Sequence, residues 1–340
     1  MNFKKKSLIL FFCAAALMTA GCGGGRKEAA SSAPVQEKGA FTLYTSQPEP
    51  DVQKLVAAFH KKYPDIEVHV FRSGTEEVVS KVLAEKKMGK VQADVLLVAD
   101  AATFEQLKKE NILDAYQSPE MSGIPSALVD KDHTYSGTKV IATGIIYNTQ
   151  MIQEVPHLFA ELTNPVYENT EIMPSPLYSG AAAYNLSLMT RTDGLGWEFY
   201  QGLKKNGITV DKGNGAVLKA VSEGTKGIGM VVDYMAVRAK AKGAPVEFVY
   251  PLEGVPVVTE PIGVVKGYAN ENLGKLFEDF VLSEDGQKET AAIGYTPVRQ
   301  GVPAPAGMKS IGDIKIMSGD LVVLVQNRDA DKQKFTELFR

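Results

Sequence analysis

The chain has 340 residues, enough at about 100–200 residues per domain for two domains with substantial cores. Hydrophobic residues make up 44% and charged residues 23%, which excludes a disordered or fibrous chain. The net charge of -3 becomes more negative once the lysines at the N-terminus are set aside, and it argues against a nucleic-acid binder, which would carry a basic stripe.

Lys4, Lys5 and Lys6, the apolar run 8–20 and the small residues after it have the order of a secretory signal. The run is too short to span a bilayer, which takes about 20 apolar residues. Thr19-Ala20-Gly21-Cys22 resembles the lipobox of bacterial lipoproteins, with Thr19 where that motif prefers Leu. The resemblance implies a signal peptide over 1–21, diacylation of Cys22, and an exported chain anchored to the membrane by lipid. The other cysteine, Cys13, leaves with the signal, so the mature domain carries no thiol, and Cys nucleophiles and Cys metal sites are excluded. Gly, Ser, Ala and charge make 22–40 a flexible tether with nothing to bury.

From Phe41 onward the periodicity alternates between strand and helix. A short strand at 41–44 precedes Val52, Leu55, Val56 and Phe59 at helical spacing, and Pro64 ends that helix. The alternation 66–71 predicts a strand, Val78, Val79, Val82 and Leu83 a helix, and the apolar run 93–99 a strand buried on both faces. Phe104 and Leu107 mark a third helix. The same grammar restarts after about residue 145. It predicts strands at 171–173, 227–232 and 246–250 and helices at 180–189, around Val217 and Val221, and at 235–242. The runs 140–147 and 262–265 are extended, apolar and placed to cross between two lobes. Amphipathic helices are expected at 273–282 and 284–293, and a polar one near 330–340. Trp197 and Phe199 read as core. The expected fold class is α/β with two lobes, each a mostly parallel sheet flanked by helices.

In open α/β sheets ligands sit beyond the carboxyl ends of the strands, where helix N-termini present free N–H groups. Five junctions of this kind stand out: 45–49, 72–76, 99–101, 174–181 and 213–215. Ser, Thr, Asp and Asn before a helix are first of all N-caps. The number of such junctions, and the small run Ser179-Gly180-Ala181, favour a ligand site beside the capping role.

No P-loop, G-x-S-x-G elbow, HExxH or G-x-G-x-x-G after a strand occurs. His60, His69, His133 and His157 lack metal-site spacing. An enzyme is not expected, and neither is a cofactor.

Along 41–308 the chain resembles the ferric-iron-binding-like group of solute-binding proteins of bacterial ABC importers. The stretches that carry the resemblance include YTSQPEPDVQKLVAAF, RSGTEEVVSKVLAE, ATGIIYNT, MPSPLYSGAAAYNL and FVYPLEGVPVVTEPIGVVKG. It implies the type II periplasmic-binding fold, with 41–140 plus 263–310 as lobe 1, 141–262 plus 311–340 as lobe 2, and two hinge strands between them. It also implies a permease and an ATPase subunit as partners, with the binding protein acting as a monomer.

In the ferric binders a Ser-Gly-Ala run and an Asn hold a synergistic anion, and Ser179, Gly180, Ala181 and Asn214 match those positions. Adjacent tyrosines hold the iron. Tyr234 matches the second, whereas Asp233 replaces the first, Pro48 stands at the His position, and Asp100 falls where the carboxylate ligand sits. The anion anchor is kept and the metal set is broken, since Fe3+ favours phenolate and other anionic oxygens. The resemblance therefore implies a phosphoryl- or phosphonyl-bearing metabolite, as in relatives of the group. Ser46, Gln47, Ser73, Gly74 and Thr75 would line the first lobe. Asp100 and Asp233 would face ligand hydroxyls or an ammonium, and Tyr178 and Tyr234 would close over it. The alternative is ferric iron on Asp100, Asp233 and Tyr234; an exported enzyme or a sensor is a remote one.

Overall fold

The structure is a computed structural model that describes residues 37–267 and 270–340. The signal peptide expected over 1–21, Cys22 and nearly all of the expected tether lie outside the described residues. In the first third of the chain, β1 (Gly39–Thr45), β2 (Ile66–Arg72) and β3 (Val95–Leu97) alternate with α1 (Glu49–Lys62), α2 (Thr75–Lys87) and α3 (Ala101–Lys109). The second series runs β5 (Glu171–Pro174), α4 (Gly180–Met189), α5 (Gly196–Lys205), β6 (Thr209–Asp211), α6 (Asn214–Ser222), β7 (Ile228–Val232), α7 (Asp233–Ala241) and β8 (Val246–Val249). Between and after them come β4 (Ser136–Asn148), β9 (Val257–Val264), α8 (Glu271–Leu282), α9 (Glu284–Ile293), β10 (Thr296–Pro297) and α10 (Leu321–Leu338).

The strands form one continuous path in the order β2-β1-β3-β9-β4-β7-β5-β6, with β8 and β10 also paired to β4. The strand β4 is shared by two halves of the sheet. Its residues 136–142 pair with β9, and 143–147 pair with β7. The outer strands pair parallel, β1 with β2 and β3, and β5 with β6 and β7. Every pair made by β9 or β4 is antiparallel, the sense a chain must take when it leaves on one strand and returns on another.

Period-two alternation sends neighbouring side chains to opposite faces, and each half is covered on both. In the first half, Phe41, Leu43 and Leu97 pack with Phe59 of α1 and Phe277 and Phe280 of α8. Tyr44, Leu96 and Val98 pack on the other face with Val78, Val82, Phe104 and Leu107. In the second half, Ile145, Met173 and Met230 meet Leu186, Phe199, Leu324 and Phe335, and Ile146, Ile172 and Val231 meet Val217, Val221 and Ala236.

The expected elements are present with shifted bounds. The helix read at 330–340 begins at Leu321, and the strand read at 262–265 begins at Val257. Phe199 is core, but it lies on a helix, α5, that periodicity did not separate from its surroundings.

Candidate functional site

Six helices start where strands end. Pro48, Gly74, Asp100, Ser179, Gly213 and Val232 are the N-caps of α1, α2, α3, α4, α6 and α7. Only Asp100 and Ser179 among them cap with a side chain, accepting from Thr103 N–H at 2.9 Å and Ala182 N–H at 3.3 Å. The starts of α2, α6 and α7 lack such a bond, and the first amides of a helix have no intrahelical acceptor.

Several of these starts converge on one cavity of about 110 Å³. Its lining includes Gly74 and Thr75 of α2, Ser179, Gly180 and Ala181 of α4, Gly213, Asn214 and Gly215 of α6, and Tyr234 and Met235 of α7. Ser46, Pro48, Arg72, Ala99, Tyr178 and Glu260 also line it, with Ile141, Val232 and Val258 as apolar wall.

The close approach of the helix starts depends on glycine. A Cβ on Gly180 would stand 2.8 Å from the Thr75 side chain, and one on Gly74 would stand 2.6 Å from the Tyr178 carbonyl oxygen. Asn214 ties three helix starts together: its Nδ2 donates to Ser179 Oγ and its Oδ1 accepts from Val232 N–H, both at 3.3 Å. Arg72 adds a cation. Its Nε donates to the Gln47 carbonyl at 2.9 Å and its Nη1 to the Tyr178 hydroxyl at 3.4 Å. The Lys212 ammonium stands 4.4 Å over the Tyr178 ring.

The lining also carries Glu260, 4% exposed. It forms an ion pair with Lys139, itself 2% exposed, and accepts from Ser46 Oγ at 3.3 Å and Gln47 Nε2 at 3.1 Å. A buried carboxylate paired with a lysine therefore shares the lining with the Arg72 guanidinium and the helix starts.

Nine of the residues expected from sequence line the cavity: Ser46, Gly74, Thr75, Tyr178, Ser179, Gly180, Ala181, Asn214 and Tyr234. Four stand behind it. Gln47 is buried against Glu260, and Ser73 turns to Glu77. Asp100 is fully buried, caps α3, and stands 3.0 Å from Arg328 of α10. Asp233 accepts from Ala142 N–H at 3.3 Å, Tyr234 N–H at 2.8 Å and the Tyr250 hydroxyl at 3.3 Å. Asp100 and Asp233, expected to face the ligand, each turn the carboxylate toward partners within the protein. Tyr234 packs against Tyr295 with ring centroids 4.3 Å apart and the planes tilted by 46°, it lies under the Arg238 guanidinium, and burial raises its phenol above the usual range. Among the described residues no group of three or more His, Cys, Asp or Glu is placed to hold a metal ion.

Arg72, Glu260 and Lys139 were missed from sequence. The signals were there: an arginine closing an alternating strand, and a glutamate inside the apolar run VVTEPIGVV. Neither says what the charge faces.

The chain is 28% identical over 275 residues to an uncharacterized protein of Haemophilus influenzae, covering 76% of this chain and 77% of that one. The fold matches the periplasmic binding protein AfuA from Actinobacillus pleuropneumoniae, solved with exogenous fructose-6-phosphate bound, at TM-score 0.82 and 22% identity, over 89% of this chain and 99% of that one. It also matches iron-bound HitA from Pseudomonas aeruginosa at TM-score 0.77 and 19% identity, over 87% and 99% of the two chains. These likenesses establish the type II periplasmic-binding fold. The model of the family described as bacterial extracellular solute-binding protein matches residues 54–315, and the chain belongs to that family.

Proposed function

We propose that the protein captures a small phosphoryl- or phosphonyl-bearing metabolite between two lobes and delivers it to an ABC permease and its ATPase subunit. The observation that carries this reading is the meeting of Arg72 with the starts of α2, α4 and α6 around one cavity. Backbone amides at helix N-termini and a guanidinium suit the three oxygens of a phosphoryl group. Glu260, on the same lining, accepts from ligand hydroxyls, the role expected of Asp100 and Asp233. Tyr178 closes the mouth. The fructose-6-phosphate complex of AfuA supports the same class of ligand in this fold.

Ferric iron fits the donors less well. Asp100 is committed to Arg328, and Tyr234 carries a phenol whose ionisation burial opposes. Neither catalysis nor a cofactor is part of the proposal.

The lobes proposed are 41–140 with 263–310 and 141–262 with 311–340, joined through β4 and the return into β9. Ligand closes them only if it binds the closed form better than the open one. Lipidation at Cys22 would hold this monomeric domain at the membrane on the tether 22–40.

The test is a thermal-shift comparison on the chain from residue 24, with Fe3+ plus phosphate set against sugar phosphates and aminoalkylphosphonates. A ligand held by the native state raises the melting temperature by mass action. The expected result is a shift with a phosphate ester or phosphonate that Arg72→Met reduces by tenfold or more in affinity, the scale of a lost charged hydrogen bond. A coloured complex with Fe3+, and no response to any organophosphate, overturns the reading.

A further inference from the structure

The C-terminal helix α10 presents one buried stripe, Leu324, Arg328, Asp331 and Phe335, and the stripe serves two masters. Leu324 and Phe335 sit in the core of the second half with Leu188, Met189 and Tyr200. Asp331 accepts from Ser187 Oγ at 2.8 Å and pairs with both Arg191 nitrogens at 2.7 and 3.1 Å, on and just after α4. Arg328 points the other way. Its Nη2 donates to Glu76 of α2 at 2.7 Å and Thr103 of α3 at 3.2 Å, and its Nη1 stands 3.0 Å from Asp100 Oδ2. That last contact is an ion pair off the line of a hydrogen bond, so Oδ2 has no aligned donor. Lys332 adds a second cation 2.9 Å from Glu76.

The two sides of α10 differ in kind. Toward the second half it is held by apolar side chains and a bidentate pair. Toward the first half it meets Glu76, Thr103 and Asp100 through Arg328 and Lys332, and charged surfaces can part and rehydrate where apolar ones resist. The groups it grips adjoin the cavity: Glu76 follows Thr75, and Asp100 follows Ala99. Asp100 also holds a φ of 131°, a region that side chains other than glycine rarely adopt and that persists only where the surroundings enforce it.

We infer that Arg328 is a positioning residue, a clasp by which the C-terminal helix rides with the second lobe and docks on the first when the cleft shuts. It touches no ligand. It biases the closed form by neutralising Glu76, partly buried, and Asp100, fully buried, and it steadies the starts of α2 and α3 beside the site. The clasp rests on the two-lobed reading of the fold and is independent of what the ligand is.

The experiment is a pulsed electron–electron distance measurement without ligand, on the chain from residue 24, which holds no native cysteine. Spin labels go on Met88→Cys at the end of α2, 80% exposed, and Val166→Cys in the second half, 52% exposed. In the parent chain a short separation is expected to be populated. Arg328→Met should lower the ratio of short to long separations by at least tenfold, and Arg328→Lys should restore part of it. If Arg328→Met does not fold, Glu76→Gln tests the same contact from the other side. A residue that merely supports the fold would lower the melting temperature and leave the distances alone. Identical distributions in the parent and in the variant, whether both short or both long, overturn the clasp. Because no ligand is added, this result stands apart from the phosphoryl reading.

Discussion

Glu260 and Lys139 neutralise each other in the interior, each nearly without exposure. Removing one member strands a buried charge, which costs far more than the pair is worth as a pair. Glu260→Gln is expected to lower unfolding stability by about 3–5 kcal/mol in denaturant titration, with Lys139→Met/Glu260→Met recovering most of it. A small effect of the single change would mean the Lys139 ammonium finds other solvation. Asp233 is a different case, since burial pushes its carboxyl from 3.8 up to about 7 against the hydrogen bonds from Tyr234, Ala142 and Tyr250. The native state keeps this proton where the unfolded chain has lost it. The resulting stability is fully present below the unfolded value and is lost as pH rises through about 7. Asp233→Asn should therefore raise the melting temperature at pH 8 and leave it nearly unchanged at pH 4. Glu171, pushed to about 8 by burial, acts in the same direction, so the difference between variant and parent is the quantity to follow.

At the scale of elements, the site is a meeting of helix starts, and its tolerance is set by glycine. Gly180 lets α4 approach Thr75 closely enough that an added Cβ would stand 2.8 Å away. Gly180→Val is expected to push α2 and α4 apart and weaken binding of a phosphate ester by tenfold or more in calorimetric titration. Unliganded stability should change less, since the residue lies at a helix start rather than in the sheet core. If affinity survives, the amides of α4 are not part of the anchor. Ser179→Ala removes the cap of the same helix at a cost of about 1 kcal/mol and frees Asn214 from one of its contacts.

At the scale of the molecule, two covered half-sheets share β4 and close on one cavity. A ligand present at a hundredfold its Kd should add about 2.7 kcal/mol to stability. If the lobes move, the radius of gyration from small-angle scattering should fall at the same ligand concentration that raises the melting temperature. Stabilisation with no compaction would show binding to a cleft already shut, a state that the Arg328 contacts would by themselves favour.

The alternation of strand and helix, the apolar runs and the small residues at junctions determined the fold class and located Ser179, Gly180, Ala181 and Asn214 beside the cavity. These features are local: periodicity selects an element within a dozen residues, and a helix start exposes its amides wherever the helix goes. Direction and partnership are not local. Asp100 resembled a ligand group in the sequence, yet it meets Arg328 from the far end of the chain. Glu260 was hidden in an apolar run; that it lines the cavity and meets Ser46, Gln47 and Lys139, all more than a hundred residues away, was decided by the fold. Which donors meet each buried charge depends on distances that only the folded chain brings below hydrogen-bond length.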